Sequence, residues 1–133
     1  MLIVIDAGNS DTVFGLVQED KLVQTFRVPS LKEENFAYFD HCVRTLFFEN
    51  QWPLVGIQQV VLSSVVPPLT PIFQQISRQT FGVDPILVDA DVFPQLQVSI
   101  DDPSEIGSDL IANAVAAYGK YKRNCVVIDF GTA

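Results

Sequence analysis

The apolar residues of this chain come in short blocks, and that limits its fold more than any other feature. Met1–Ile5, Val60–Val66, Ile86–Val88 and Val126–Ile128 all fall far short of the roughly 18 apolar residues that span a bilayer. Runs of this length, bounded by Gly, Pro and acids, predict buried strands. Val13–Val17 and Leu22–Val28 predict two more, joined by the polar Gln18-Glu19-Asp20-Lys21. The first three strands are therefore expected as an antiparallel meander.

The period then changes. Between Glu33 and Phe48, Phe36, Phe39, Val43, Leu46 and Phe47 share one helical face. A strand over Gln59–Val65 is stopped by Pro67-Pro68, and Pro71 suits the first turn of a helix running through Ile72, Ile76 and Phe81. After a short strand at Ile86–Val88, the stretch from Asp89 to Pro103 reads as an acidic loop. A helix from Ser104 or Ser108 to Lys122 would bury Leu110, Ile111, Ala114, Val115 and Tyr118. A strand over Val126–Asp129 follows. The order β-β-β-α-β-α-β-α-β predicts an α/β fold with helices packed on a mixed sheet.

At 133 residues the chain suits one domain with its own core. Net charge is -8, and the eight basic residues are scattered, which argues against nucleic acid as a partner. The N-terminus starts as a strand with no basic region before it, so neither a signal peptide nor a membrane anchor is expected, and the cytoplasm is the expected location. Cys42 and Cys125 form no CxxC pair. Cys125 reads as a small buried residue opening the last strand. His41 falls on the polar side of the first helix and reads as solvated. Trp52 reads as a packing anchor, and Asp101 and Asp102 as a solvated acidic pair.

One sequence element occurs twice. Val4-Ile5-Asp6-Ala7-Gly8-Asn9-Ser10 is echoed by Val127-Ile128-Asp129-Phe130-Gly131-Thr132-Ala133. In each, an apolar strand delivers an acid to the edge of the sheet, and glycine then lets backbone N–H groups approach an anion. A carboxylate repels phosphate, so it must act through a cation or its water. A single copy reads equally well as a β-turn. Two copies suggest a pair of phosphate loops facing one nucleotide cleft. Asp109, at a helix start, reads locally as a capping residue, as does Ser108.

The paired Asp-x-Gly loops resemble those of the actin, Hsp70 and sugar-kinase superfamily. With Ser63-Ser64-Val65-Val66-Pro67, Pro103-Ser104-Glu105-Ile106-Gly107-Ser108-Asp109 and Asn113-Ala114-Val115-Ala116-Ala117-Tyr118, the chain resembles the N-terminal half of the type III pantothenate kinases. The resemblance implies an RNase H-like (actin-like ATPase) domain over 1–122, with a mixed sheet of about five strands. Residues 123–133 would open a second domain. It implies transfer of the γ-phosphoryl of ATP to pantothenate, with Mg²⁺ and a monovalent cation, K⁺ or NH₄⁺, in a homodimer.

By the same resemblance Asp109 is the general base. Asp6, Ala7, Gly8, Asn9, Ser10, Asp11, Thr12 and Val13 form the first ATP loop, with Asp6 acting on Mg²⁺ through water. Thr132 contacts phosphate, Asp129 holds the monovalent cation, and Gly107, Ser108 and Leu110 flank pantothenate. Two positions depart from the family pattern. Leu110 stands where the family most often has arginine, and Asp11 adds negative charge beside the first loop. The 133-residue chain alone is expected to have little kinase activity. A related small-molecule kinase, or a non-catalytic nucleotide-binding paralogue, is the alternative.

Overall fold

The computed structural model describes residues 1–89 and 106–130. Strands β1 (Leu2–Ala7), β2 (Asp11–Gln18) and β3 (Lys21–Pro29) form the expected meander. Helix α1 (Phe36–Glu49) crosses over to β4 (Gln59–Ser64). Helix α2 (Thr70–Ile76) then leads to β5 (Pro85–Leu87), and α3 (Ser108–Tyr121) follows. The five strands lie in the order β3-β2-β1-β4-β5. β1 runs antiparallel to β2 and parallel to β4, so Asp6 ends level with Ser63 on one side and Val13 on the other.

Period-two alternation decides what each face of the sheet meets. Ile3, Ile5 and Ala7 of β1, with Val60 and Leu62 of β4, point to the face covered by α1 and α2 and are fully buried. Aromatic rings fill that layer. Phe14 stacks on Phe26 at 4.9 Å and meets Phe73 edge-on at 5.7 Å, while Phe47 lies 5.2 Å from Phe81. Trp52 closes the cluster against Phe26 and Phe47, as its expected anchoring role requires. Val4, Asp6, Val61 and Ser63 alternate to the opposite face, where α3 packs beside β4.

Local chemistry sets the helix ends. The Asn35 side chain accepts a hydrogen bond from the Tyr38 N–H at 3.3 Å and caps α1. Pro71 occupies the first turn of α2, as its position predicts. Beyond Ile76 the helix widens into a π-helical turn, Ser77–Phe81, which Gly82 ends with φ 77°. Gly15 is fixed by space: a Cβ there would come within 2.6 Å of Val4 Cγ2.

Three expectations need correction. Val126–Asp129 is extended but joins no sheet among the described residues, and Val126 and Ile128 are exposed. An apolar run becomes a strand only where a neighbouring backbone can pair with it, and no described strand lies alongside. Cys125 is consequently exposed. On α3 only Ile111 of the expected apolar face is buried, while Leu110 and Tyr118 are 49% and 60% exposed. Helical spacing groups residues on one face but does not provide anything to cover it. No described helix is long and apolar enough to cross a membrane.

Candidate active site

Three aspartates distant in sequence come together on the α3 side of the sheet. Asp6 arrives at the carboxyl end of β1, Asp109 in the first turn of α3, and Asp129 on the segment after α3. All three line a cleft of about 550 Å³ with Val4, Ser63 and Asn113. An adjoining space of about 560 Å³ shares the three acids and adds Asn9, Ser10, Asp11 and Arg27. Open α/β sheets bind ligands at this carboxyl edge.

Hydrogen bonds fix the frame. The Ser108 and Ser63 hydroxyls are bonded to each other at 2.9 Å, and Ser108 Oγ also accepts from the Ser64 N–H at 3.1 Å. This ties the first residue of α3 to the end of β4. Ser108 is therefore a clamp and not the cap that its position predicts, since the cap residue is Gly107 with no side-chain bond to the helix. Asp109 Oδ1 accepts from the adjacent Leu110 N–H at 2.8 Å. A Cβ at Gly107 would run into Asp109 Oδ1, so the absent side chain leaves room for the carboxylate. Asn113 Nδ2 donates to Asp129 Oδ2 at 2.9 Å and brings the third acid to the helix.

The first loop is a closed hairpin: the Gly8 N–H donates to the Asp11 carbonyl at 3.0 Å. Lys32 Nζ donates to Asn9 Oδ1 at 3.1 Å. Asp11, a source of added negative charge, is paired with Arg27 at 3.6 Å.

Asp6 is partly open to solvent, yet its pKa is raised above 3.8. Desolvation by the cleft walls is the main cause, opposed by the Ser63 hydroxyl and reinforced by the charges of Asp109 and Asp129. A carboxylate held this way gains from a cation. Its hard oxygens suit Mg²⁺, which binds through one or two carboxylates, water and substrate phosphates. The described residues contain no group of three or more His, Cys, Asp or Glu that would cage a metal by themselves.

The structure thus gathers Asp6, Gly8, Asn9, Ser10, Asp11, Val13, Asp109 and Asp129 around one opening. The side chains of Ala7 and Thr12 are buried, and the Thr12 hydroxyl is bonded to Ser30 at 2.8 Å, which leaves only their backbone to face a ligand. Leu110 is about half exposed. Thr132 lies outside the described residues. Sequence reasoning assigned no role to Ser63, Arg27, Lys32 or Asn113. Ser63 and Asn113 sit in segments the family resemblance singled out, but Arg27 and Lys32 left no motif. Only strand register brings Arg27 to the cleft, opposite Val13.

A five-stranded mixed sheet of this order, carrying an Asp-Gly hairpin and a helix-borne acid at its carboxyl edge, is the architecture of an actin-like ATPase domain. The family model for type III pantothenate kinase matches residues 2–133, so the chain belongs to that family. Type III pantothenate kinases of Geobacter sulfurreducens and Citrifermentans bemidjiense are 38% and 35% identical over 133 residues. They cover all of this chain and 52% of their own length. That of Desulforapulum autotrophicum is 37% identical over 134 residues, 51% of its length. The chain therefore spans about half the length of the curated relatives it matches.

Proposed function

We propose that the protein containing this chain phosphorylates the primary hydroxyl of pantothenate from ATP, the first step towards coenzyme A, and that this half supplies the base and the first phosphate loop. The convergence of Asp6, Asp109 and Asp129 in one cleft carries the reading, and membership of the family supplies the substrate. Asp109 accepts the hydroxyl proton as that oxygen attacks phosphorus in line. The space beside Gly107 and the tether at Ser108 hold its carboxylate facing the cleft. The closed hairpin at Gly8–Asp11 presents backbone and the Asn9 amide to phosphate.

Asp6 would hold Mg²⁺, which when bound neutralises phosphate charge, and Asp129, steadied by Asn113, would hold K⁺ or NH₄⁺. Thr132 would add a phosphate contact, and Gly107, Ser108 and Leu110 would flank pantothenate. Residues 123–133 open a second domain in this reading, supported by the exposed course of residues 123–130, which join no sheet among the described residues. A cytoplasmic homodimer is the expected form.

The test is pantothenate-dependent ADP formation by the full-length protein with Mg²⁺ and K⁺, beside Asp109→Asn. Turnover in the parent that falls about 10²–10⁴-fold in the variant is expected for loss of a general base. A parent that binds ATP but ignores pantothenate would instead favour another acceptor or a regulatory role.

A further inference from the structure

Among the described residues, the two connected spaces of the cleft are lined by four carboxylates, those of Asp6, Asp11, Asp109 and Asp129, and by a single basic side chain, Arg27, while Lys32 sits behind the lining on Asn9. Carboxylates cannot hold a polyanion directly, so the one guanidinium has disproportionate weight. Register places it well. Asp6 of β1 stands opposite Val13 of β2, and Val13 stands opposite Arg27 of β3. Residues directly opposite share a face, so these three form one row across the sheet on the cleft side. With strands about 4.8 Å apart, the Arg27 backbone lies about 10 Å from that of Asp6, and a long side chain can close much of that gap.

In this structure the guanidinium is held loosely. Arg27 Nη1 lies 3.6 Å from Asp11 Oδ2, with the two side chains 69% and 44% exposed. That is longer than a charge-assisted hydrogen bond, and exposed pairs of this kind contribute little. A phosphate offers the same fork of donors two parallel bonds.

We infer that Arg27 binds a phosphate oxygen of the nucleotide, and that Asp11 holds the guanidinium beside the first loop until nucleotide displaces it. The identity of the anion rests on the kinase reading; the position of Arg27, the only basic side chain among the described residues that line the cleft, does not. Asp11 then competes with the nucleotide for Arg27.

Steady-state kinetics and MgATP titration calorimetry on the full-length protein test this, with Arg27→Ala, Arg27→Lys and Asp11→Asn. Arg27→Ala should raise the KM and Kd for ATP about tenfold or more, and the KM for pantothenate less than about twofold. Arg27→Lys should recover part of the loss, and Asp11→Asn should tighten MgATP about two- to fivefold. An Arg27→Ala protein that binds MgATP within about twofold of the parent overturns the inference. So does an effect confined to pantothenate, which would give the guanidinium to the acceptor's carboxylate. If Asp11→Asn weakens MgATP as Arg27→Ala does, the pair is structural and the competition is refuted. If the parent shows no pantothenate-dependent turnover, the kinase reading fails, and weaker MgATP binding in Arg27→Ala would still sustain this assignment. A parent that does not bind MgATP overturns both.

Discussion

Two aspartates, one on each side of the sheet, have pKa values displaced in opposite directions. On the side of α1 and α2, burial would raise Asp40, but hydrogen bonds from Arg44, at 2.7 Å, and Thr80 outweigh it and hold the carboxyl below 3.8. On the side of α3, Asp6 is raised above 3.8 by desolvation and by acidic neighbours. The first side also contains the aromatic layer, and no buried side-chain N or O among the described residues lacks a partner. The helix-covered side is built to hold the fold, whereas the cleft keeps like charges together at a cost in stability. Such an arrangement makes sense where a cation and a polyanion are to be received.

Substitutions can break or sharpen this contrast. The largest loss of stability is expected from Phe73→Ala, which removes a fully buried ring that contacts Phe14 and Phe39. It should cost about 3–5 kcal/mol in urea denaturation. On the cleft side, Gly107→Ala should leave the melting temperature within about 3 °C. It should nonetheless lower kcat about 10²-fold, because its methyl group occupies the space of the Asp109 carboxylate. If it unfolds the protein instead, the cleft is more structural than the contrast allows.

Asp40→Asn should cost about 1 kcal/mol at neutral pH, with little effect on ATP binding. The sign of its pH dependence follows from the lowered pKa. The Asp40 contribution is complete above 3.8 and is lost as pH falls through the folded value. The variant should therefore converge with the parent in acid.

The smallest effect has the opposite sign. Since the folded state holds the Asp6 proton more tightly, the ionised group costs stability above its folded pKa, and that cost fades as pH falls towards 3.8. Asp6→Asn should raise the melting temperature at pH 7 by no more than about 2 °C, given the solvent screening, while abolishing turnover. Mg²⁺ should narrow the gap by stabilising the parent more than the variant.

Much of this was legible in the sequence because apolar periodicity reports local geometry directly. Phe39, Val43 and Phe47 lie where the helical spacing predicts, and Ile3 and Ile5 where alternation does. Asp6 and Asp129, which the structure brings to one cleft, announced themselves by repetition. What the pattern could not show depends on through-space partners. The widening of the helix at Ser77–Phe81 has no sequence mark, and the pairing of Ser63 with Ser108 joins residues 45 positions apart. Val126–Ile128 carries the composition of a strand, but its state depends on a neighbour that composition does not supply. Arg27 looked like one of several scattered bases until register set it in line with Asp6.

The clamp between Ser108 and the end of β4 has a mechanical consequence. Helix α3 is pinned at its first turn by that hydroxyl pair and by the buried Ile111, while its far end, at Tyr118 and Tyr121, is exposed. It is a lever with its fulcrum beside Asp109. At 1.5 Å per residue the arm is about 20 Å long, so a tilt of about 5° would carry Tyr121 through about 2 Å and Asp109 through only about 0.1 Å. Whatever leans on the distal end can travel while Asp109 stays in register with the cleft.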